Sequence, residues 1–277
     1  MSRRRGRTDI GPASRGPRPP TPRNPGPTRS GVESRPSPGF RAFLLDGLKV
    51  LGLKLAPEQV ARLDEFRDLM LVANRVQNLT ALESDFDVAV RHVLDSLTCL
   101  GLRGLFDGPA RVIDIGTGAG FPGLPLRIAR PRLEMTLLDS SRKRTAFLEE
   151  TVARLGLDRC RVATERAETF SRRPGERESY DVAVVRAVAS LAVDLEYGVA
   201  LVRPGGHFVA FKGPKAAGEL GAAVRVGATL GAELAEAREL VLPLAGERRM
   251  LIVFRKISPT PAAYPRREGL PAKRPLA

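Results

Sequence analysis

The residues with the clearest chemical purpose are Asp114, Gly116, Gly118 and Gly120, in the run Arg111-Val-Ile-Asp-Ile-Gly-Thr-Gly-Ala-Gly-Phe-Pro-Gly123. Apolar steps lead to Asp114, glycines follow at alternate positions, and helical patterning begins after them. This pattern is a strand, a tight turn and a helix N-terminus. Glycine lets a ligand approach the main chain where a Cβ would block it. The first helical N–H groups have no partner within their own helix and point at that ligand. A second acid, Asp139, closes the next apolar run, and a carboxylate there can accept two hydrogen bonds from vicinal ribose hydroxyls. Glu168, after the third apolar run, falls where an adenine edge would lie. Together these residues suit a ligand containing a nucleoside.

The glycines alone fit two such ligands. Gly118-Ala-Gly120-Phe-Pro-Gly123 satisfies the dinucleotide spacing G-x-G-x-x-G, whereas Gly116-Thr-Gly118-Ala-Gly120, with Asp114 ahead of it, is a different pattern. An acid two residues before the first glycine is unusual for a dinucleotide strand, and Pro122 and Pro125 are expected to delay the regular helix. The surrounding elements add a third distinction. Strands are expected at Val112–Ile115, Leu133–Leu138, Cys160–Ala163, Tyr180–Val185 and His207–Lys212, the last entered through a Pro204-Gly-Gly206 turn. Helices are expected to Arg130, over Thr145–Leu155 and from about Ser190 to Leu201, then one of mixed Ala and Glu. Alternating β and α runs predict a parallel sheet covered on both faces. Two closing β runs, Leu240–Leu244 and Met250–Phe254, are joined too tightly for a crossover, so the last strand should be antiparallel. That ending favours methyltransferases over dehydrogenases.

Ahead of the glycine turn, apolar residues at helical spacing from Phe40, then from Pro57 to about Val76, then from Ser84 or Asp85 to about Leu102, predict a helical cap over 40–104. The α/β domain would occupy 105–256. Residues 1–39 carry nine Arg and nine Pro against two acids, and 257–277 form a basic, Pro-rich tail. The formal net charge of +14 is therefore concentrated at the two ends. Residues 1–39 have too few large apolar groups to offset the entropy of ordering and are expected to be disordered. Basic ends suit an anionic partner such as a nucleic acid. Cys99 and Cys160 give neither a disulfide framework nor a metal-ligand spacing. No apolar run reaches membrane-spanning length, and a cytoplasmic protein without metal, acting as a monomer, is expected.

Asp114-Ile-Gly-Thr-Gly-Ala-Gly120, the acid after strand 2 and Pro-Gly-Gly before strand 5 resemble the class I S-adenosylmethionine-dependent methyltransferases, whose Rossmann-like sheet has seven mostly parallel strands and an antiparallel last strand. Within that class the chain closely resembles the RsmG (GidB) family of ribosomal RNA methyltransferases. The stretches that carry the resemblance are Asn78-Leu-Thr80, Arg91-His-Val-Leu-Asp-Ser96, Asp114–Pro125, Leu137-Leu-Asp-Ser140, Arg186-Ala-Val-Ala-Ser-Leu191, Lys212-Gly213, Gly246-Glu-Arg248 and Tyr264-Pro-Arg-Arg267. The sequence departs from the family in having no Trp before Asn78 and in carrying Arg142 where Gly is usual.

The resemblance implies methylation of guanine N7 in the 530-loop region of 16S ribosomal RNA, free or in a small-subunit particle, with S-adenosyl-L-methionine as cofactor. It places Gly116, Phe121, Ala167, Glu168 and Arg186 at the cofactor, beside Asp114, Gly118 and Asp139 from the loop argument. Guanine N7 has a free lone pair, so no general base is needed and no catalytic dyad is expected. Arg186, a candidate anchor for the methionine carboxylate or a phosphate, is the one candidate for a direct part in catalysis. Asp95 or Asp114 could stabilise the charge that moves onto the base. Arg91, His92, Arg142, Lys143 and Lys212 are the candidate RNA contacts. Two other readings remain at this point: a nicotinamide-dependent oxidoreductase, from the G-x-G-x-x-G match, and an inactive RNA-binding module, from the basic ends.

Deleting residues 1–39 is expected to leave cofactor affinity unchanged and to weaken RNA binding with a shallower salt dependence. Titrations at several salt concentrations test this, and equal slopes for the two proteins would exclude an RNA role for the extension.

Overall fold

The computed structural model describes residues 39–277; the expectations for the extension before Gly39 lie outside them. Seven strands form one sheet: β1 (Arg111–Ile115), β2 (Glu134–Asp139), β3 (Cys160–Thr164), β4 (Tyr180–Arg186), β5 (Val202–Lys212), β6 (Ala232–Val241) and β7 (Arg248–Lys256), in the order β3-β2-β1-β4-β5-β7-β6. Pairs from β3 to β5 are parallel, and β7 runs antiparallel to both β5 and β6. The expected sheet and its antiparallel ending are both observed.

The helices preceding the sheet are α1 (Phe40–Val50) and α2 (Pro57–Gln77), a π-helical stretch Asp87–Leu94, α3 (Asp95–Leu97) and a single 3-10 turn Thr98–Gly101. Ser84 opens the π-helical region: its Oγ accepts from Asp87 N at 3.1 Å, the side-chain cap that the sequence offered. After β1 come α4 (Gly123–Ala129), α5 (Arg142–Arg154), α6 (Ala167–Phe170), α7 (Leu191–Gly198), α8 (Leu220–Leu230) and α9 (Leu270–Lys273).

Strand alternation divides the core into two layers. Val112, Leu137, Val184 and Val209 face the helices of 40–101 together with α4 and α5; Ile113, Ile115, Leu138 and Val185 face α7 and α8. Asp114 follows Val112 and Arg186 follows Val184 by two, so both project on the side of the N-terminal helices. This positions the site described below.

Four expectations are corrected. First, the regular helix α4 begins only at Gly123, after Pro122, as expected, but Pro125 lies in its first turn, where a missing N–H costs no hydrogen bond, and adds no delay. Second, Pro204-Gly-Gly206 lies inside β5, opposite a register shift between Tyr180 and Val182, so it is an irregularity within a longer strand. Third, the helix expected from mixed Ala and Glu ends at Leu230. Gly231 (φ 85°) stops it, and Ala232–Val241 becomes β6 with alternating exposure. Finally, the expected tail 257–277 is packed. Arg177 Nη2 donates to Thr260 O at 2.7 Å and its Nη1 to Tyr264 O at 2.9 Å.

Lys256 anchors the start of this segment. Its side chain is 1% exposed, and Nζ donates to Glu178 Oε1 (3.0 Å), Val199 O (2.8 Å) and Thr260 Oγ1 (2.6 Å), with Val202 O nearby at 3.3 Å. Removing the lysine takes the cation from Glu178, which is left with the Thr260 N–H (2.6 Å) as its hydrogen-bond partner. Lys256→Ala is therefore expected to cost about 2–4 kcal/mol in urea denaturation, and a loss below about 0.5 kcal/mol would show that these contacts carry no stability.

Candidate active site

Two buried carboxylates shape the glycine turn from below. Asp114 Oδ2 accepts from Thr117 Oγ1 (2.6 Å) and Gly123 N (2.7 Å), which ties both ends of the turn to β1. Residue 123 has to be glycine, since a Cβ there would lie 2.8 Å from that same oxygen. Asp114 Oδ1 is buried without a partner. Burial raises the Asp114 carboxyl to about 6, against the lowering effects of Thr117, Gly123 and the Arg186 cation. Asp139, at the end of β2, binds main chain on both sides. Its Oδ2 accepts from Gly118 N (3.0 Å) and its Oδ1 from Ser141 N (2.9 Å), with Arg144 Nη1 3.5 Å from Oδ2.

A cavity of about 380 Å³ opens above this turn at the C-terminal ends of β1, β2 and β4. Gly116, Asp139, Ala167 and Glu168 line it, four of the eight residues expected at a cofactor. Gly116 has φ 67°, and a Cβ there would come within 2.7 Å of Val188, another lining residue. Asp114 and Gly118 do not line this cavity; they act on it through the turn. Phe121 and Arg186 are also absent from its lining: Arg186 lines the neighbouring cavity, and Phe121 is buried and lines neither. Sequence reasoning missed Val188, Tyr197 and Ala272, which line the same cavity together with Arg144. Arg144 was visible as one of the cations opening α5, whereas Ala272 comes from the far C-terminus and has no local signal.

A second cavity of about 650 Å³ adjoins the first, and Ala187 and Ala189 line both. Ala187 adopts φ 56°, the left-handed conformation disfavoured for a residue with a Cβ, so the chain turns sharply at this partition. Arg186, just before it, points into the second space. Its Nη1 donates to Arg91 O and Asp95 Oδ2, both at 3.0 Å, and its Nη2 lies 3.2 Å from His92 Nδ1. The guanidinium also sits 5.3 Å from the Phe121 ring centroid. Phe121 packs between Phe66 (5.1 Å) and the stacked ring of His92 (4.5 Å, 14°). The Asn78-Leu-Thr80 motif finds its role here: Asn78, at φ 51°, ends α2, and Thr80 Oγ1 meets His92 Nε2 at 2.9 Å.

The expected RNA contacts separate into two groups. Arg91, His92 and Lys212 line the second cavity, and each is engaged with protein. Arg91 pairs with Asp87 and with Glu247 (2.6 Å), and Lys212 Nζ donates to Asp194 Oδ2 (2.5 Å) and Ala189 O (2.6 Å). Burial raises Asp194 to about 6, with the Lys212 cation opposing the shift. Arg142 and Lys143 lie elsewhere, exposed at the start of α5. Arg249 was missed: its Nε reaches Asp95 Oδ1 at 3.3 Å, so Asp95 is held between two arginines. Among the described residues no helix is long and apolar enough to cross a membrane.

The sheet order, the glycine turn after β1, the acid closing β2 and two cavities meeting at the end of β4 define a class I methyltransferase. The family model described as rRNA small subunit methyltransferase G matches residues 59–248, and the chain belongs to that family. Its similarity to the ribosomal RNA small subunit methyltransferase G of Pelotomaculum thermopropionicum is 45% identity, covering 83% of this chain and 96% of the relative. The protein of the same name in Deinococcus radiodurans is 46% identical over 87% of this chain and 94% of its own length. Among solved structures, a SAM dependent methyltransferase from Aquifex aeolicus is similar over 60% of this chain and 91% of its own, with 17% identity and a TM-score of 0.45.

The hydrogen bonds fix the tautomer of His92. A guanidinium can only donate, so Nδ1 accepts from Arg186 and the proton resides on Nε2, which donates to Thr80. Burial, reinforced by the Arg186 cation, lowers the His92 pKa to about 3. The native state thus binds fewer protons than the unfolded chain as pH falls. The stability from His92 is complete above its ordinary 6.5 and is lost between 6.5 and 3. Heteronuclear NMR should find a neutral Nε2–H ring that does not titrate between pH 8 and 5. His92→Gln should recover about 2 kcal/mol of the stability lost between those pH values. A ring titrating near 6.5 would refute this arrangement.

Proposed function

We propose that this protein transfers the methyl group of S-adenosylmethionine to N7 of a guanine in the 530-loop region of 16S ribosomal RNA, in the cytoplasm and as a monomer. The observation that carries the reading is the pair of cavities sharing one wall at Ala187–Ala189. One is lined by Gly116, Asp139, Ala167 and Glu168, expected at the cofactor, and the other by Arg91, Arg186, Lys212 and Arg249.

The first cavity fits the cofactor. Its volume lies within the roughly 300–1,000 Å³ of small-molecule sites. The absence of a Cβ at Gly116 leaves room beside Val188. Asp139 has used one lone pair on each oxygen for main chain, and a carboxylate offers about four acceptor sites, so ribose hydroxyls can still be bound. Gly116, Asp139, Ala167 and Glu168 are the residues that would hold the adenosine end. When bound, the cofactor supplies an electrophilic methyl on a sulfonium.

Guanine N7 carries a lone pair and no proton at neutral pH, so no residue has to act as a base. The chain's contribution is orientation. His92 and Asp95 are both committed to Arg186, and the resulting rigid group presents donors and a carboxylate edge to the second cavity. Arg186 and Arg249 hold Asp95 where it can oppose positive charge developing on a base. Arg186, expected at the cofactor, is read here as a group on the substrate side.

The test is incubation of the protein with labelled S-adenosylmethionine and small-subunit RNA, or small-subunit particles, from cells lacking the gene. One guanine in the 530-loop region should be methylated at N7 by mass mapping; no transfer to naked RNA or to any particle would overturn the proposal. Arg186→Lys should lower kcat/KM for RNA by about 10–100-fold, with the cofactor Kd changed less than about threefold. A loss confined to cofactor binding would return Arg186 to the first cavity. Thermal stabilisation by NAD(H) with none by S-adenosylhomocysteine would favour an oxidoreductase instead.

A further inference from the structure

Residues 266–277 lie beyond the span matched by the family model, yet they reach the first cavity. Arg266 anchors them. Its main-chain N (2.8 Å), Nε (2.8 Å) and Nη2 (2.6 Å) all donate to the carboxylate of Glu196, whose side chain is wholly buried on α7. A bidentate pair of this kind fixes both position and direction. Three residues on, the Gly269 N–H donates to Glu168 Oε1 at 2.9 Å, while Glu268 bonds Thr169 in the same helix, α6. Pro271 is then buried and Ala272 forms part of the cavity wall.

Glu168 itself is 3% exposed and opens α6, a helix of only four residues. So short a helix has little rigidity of its own. What holds its carboxylate at the cavity is a hydrogen bond from a residue 101 positions later in the chain. The direction of the Glu168 side chain therefore depends on the C-terminal segment, and that segment depends on the Arg266–Glu196 pair.

We propose that residues 266–277 are a structural wall of the cofactor cavity, and that Arg266, Glu196 and Gly269 are positioning residues that aim Glu168 at the adenosine end of the bound molecule. This rests on reading the first cavity as the cofactor site. The wall contributes binding and not chemistry: nothing in the segment lines the second cavity, where the methyl acceptor would sit.

The experiment uses hydrogen exchange on the intact protein with and without S-adenosylhomocysteine, together with calorimetry of three variants: deletion of 266–277, Arg266→Ala and Arg266→Lys. The ligand is expected to slow exchange at the Gly116–Gly120 amides and equally at Gly269, Leu270, Ala272 and Lys273. The deletion and Arg266→Ala should raise the Kd for S-adenosylhomocysteine, and the KM for S-adenosylmethionine, by tenfold or more. At saturating cofactor kcat should stay within twofold, and Arg266→Lys should recover most of the affinity. Protection of the glycine turn without any change at 269–273, or a deletion variant that binds as tightly as the full chain, would overturn the proposal. If the deletion does not fold, Arg266→Ala and the exchange data decide. If the glycine turn is not protected either, the cofactor reading itself fails, and the positioning role with it.

Discussion

The guanidinium of Arg186 is where the separate parts of this molecule are joined. The alternation of β4 turns it toward the N-terminal helices. There it meets a main-chain carbonyl, a carboxylate, an imidazole nitrogen and the face of Phe121. An arginine side chain only 14% exposed is tolerable because these partners replace water. The contacts come from different places: Arg91, His92 and Asp95 from the helical region, and Phe121 from the end of the glycine turn. A single side chain therefore fixes the helices, the turn and the end of β4 relative to one another. The partition Ala187–Ala189 follows immediately, so the wall between the two cavities is set by the same anchor.

The two acids around the turn divide the work of preorganisation. Asp114 binds Thr117 and Gly123 and so fixes the path of the turn; Asp139 binds Gly118 and Ser141 and so fixes the turn against β2. Neither carboxylate has to be reoriented for a ligand to enter. Asp139 retains acceptor capacity toward the cavity, whereas Asp114 lies beneath the main chain and acts only through it. This is why two acids that look equivalent in sequence have different roles.

Much of the arrangement was legible because its causes are local. Alternating apolar runs defined the sheet, and glycine spacing defined the turn. The acid closing β2 was placed by its strand. Non-local causes were not legible. Ala232–Val241 has the composition of a helix, and only Gly231 and the partner strand β7 override it. The resemblance places Arg186 at the cofactor, and β4 alternation, with Val182, Val184 and Arg186 on one face, turns its side chain toward the N-terminal helices. Phe121, which the resemblance also places at the cofactor, has its ring against Phe66 and His92, contacts that no local spacing announces. The contact of Gly269 with Glu168, between residues far apart in the chain, leaves no trace in spacing or composition.

Charge is where composition and structure differ most in meaning. A net charge of +14 suggests an open basic surface, but many of these cations are structural. Lys256 and Arg266, two of those nearest the C-terminus, are each spent on a carboxylate, Glu178 and Glu196. In the second cavity Arg91, Arg186, Arg249 and Lys212 pair with Asp87, Asp95, Glu247 and Asp194, and the lining also holds Lys215 and Glu219, five acids for five bases. Such a cavity draws a polyanion weakly at long range; what it offers is donors already aimed. On the proposed reading, long-range attraction would come from exposed cations such as Arg142 and Lys143, whose interactions salt screens readily. Attraction and orientation are thus assigned to different residues, and ionic strength should act strongly on the first while leaving the second largely intact.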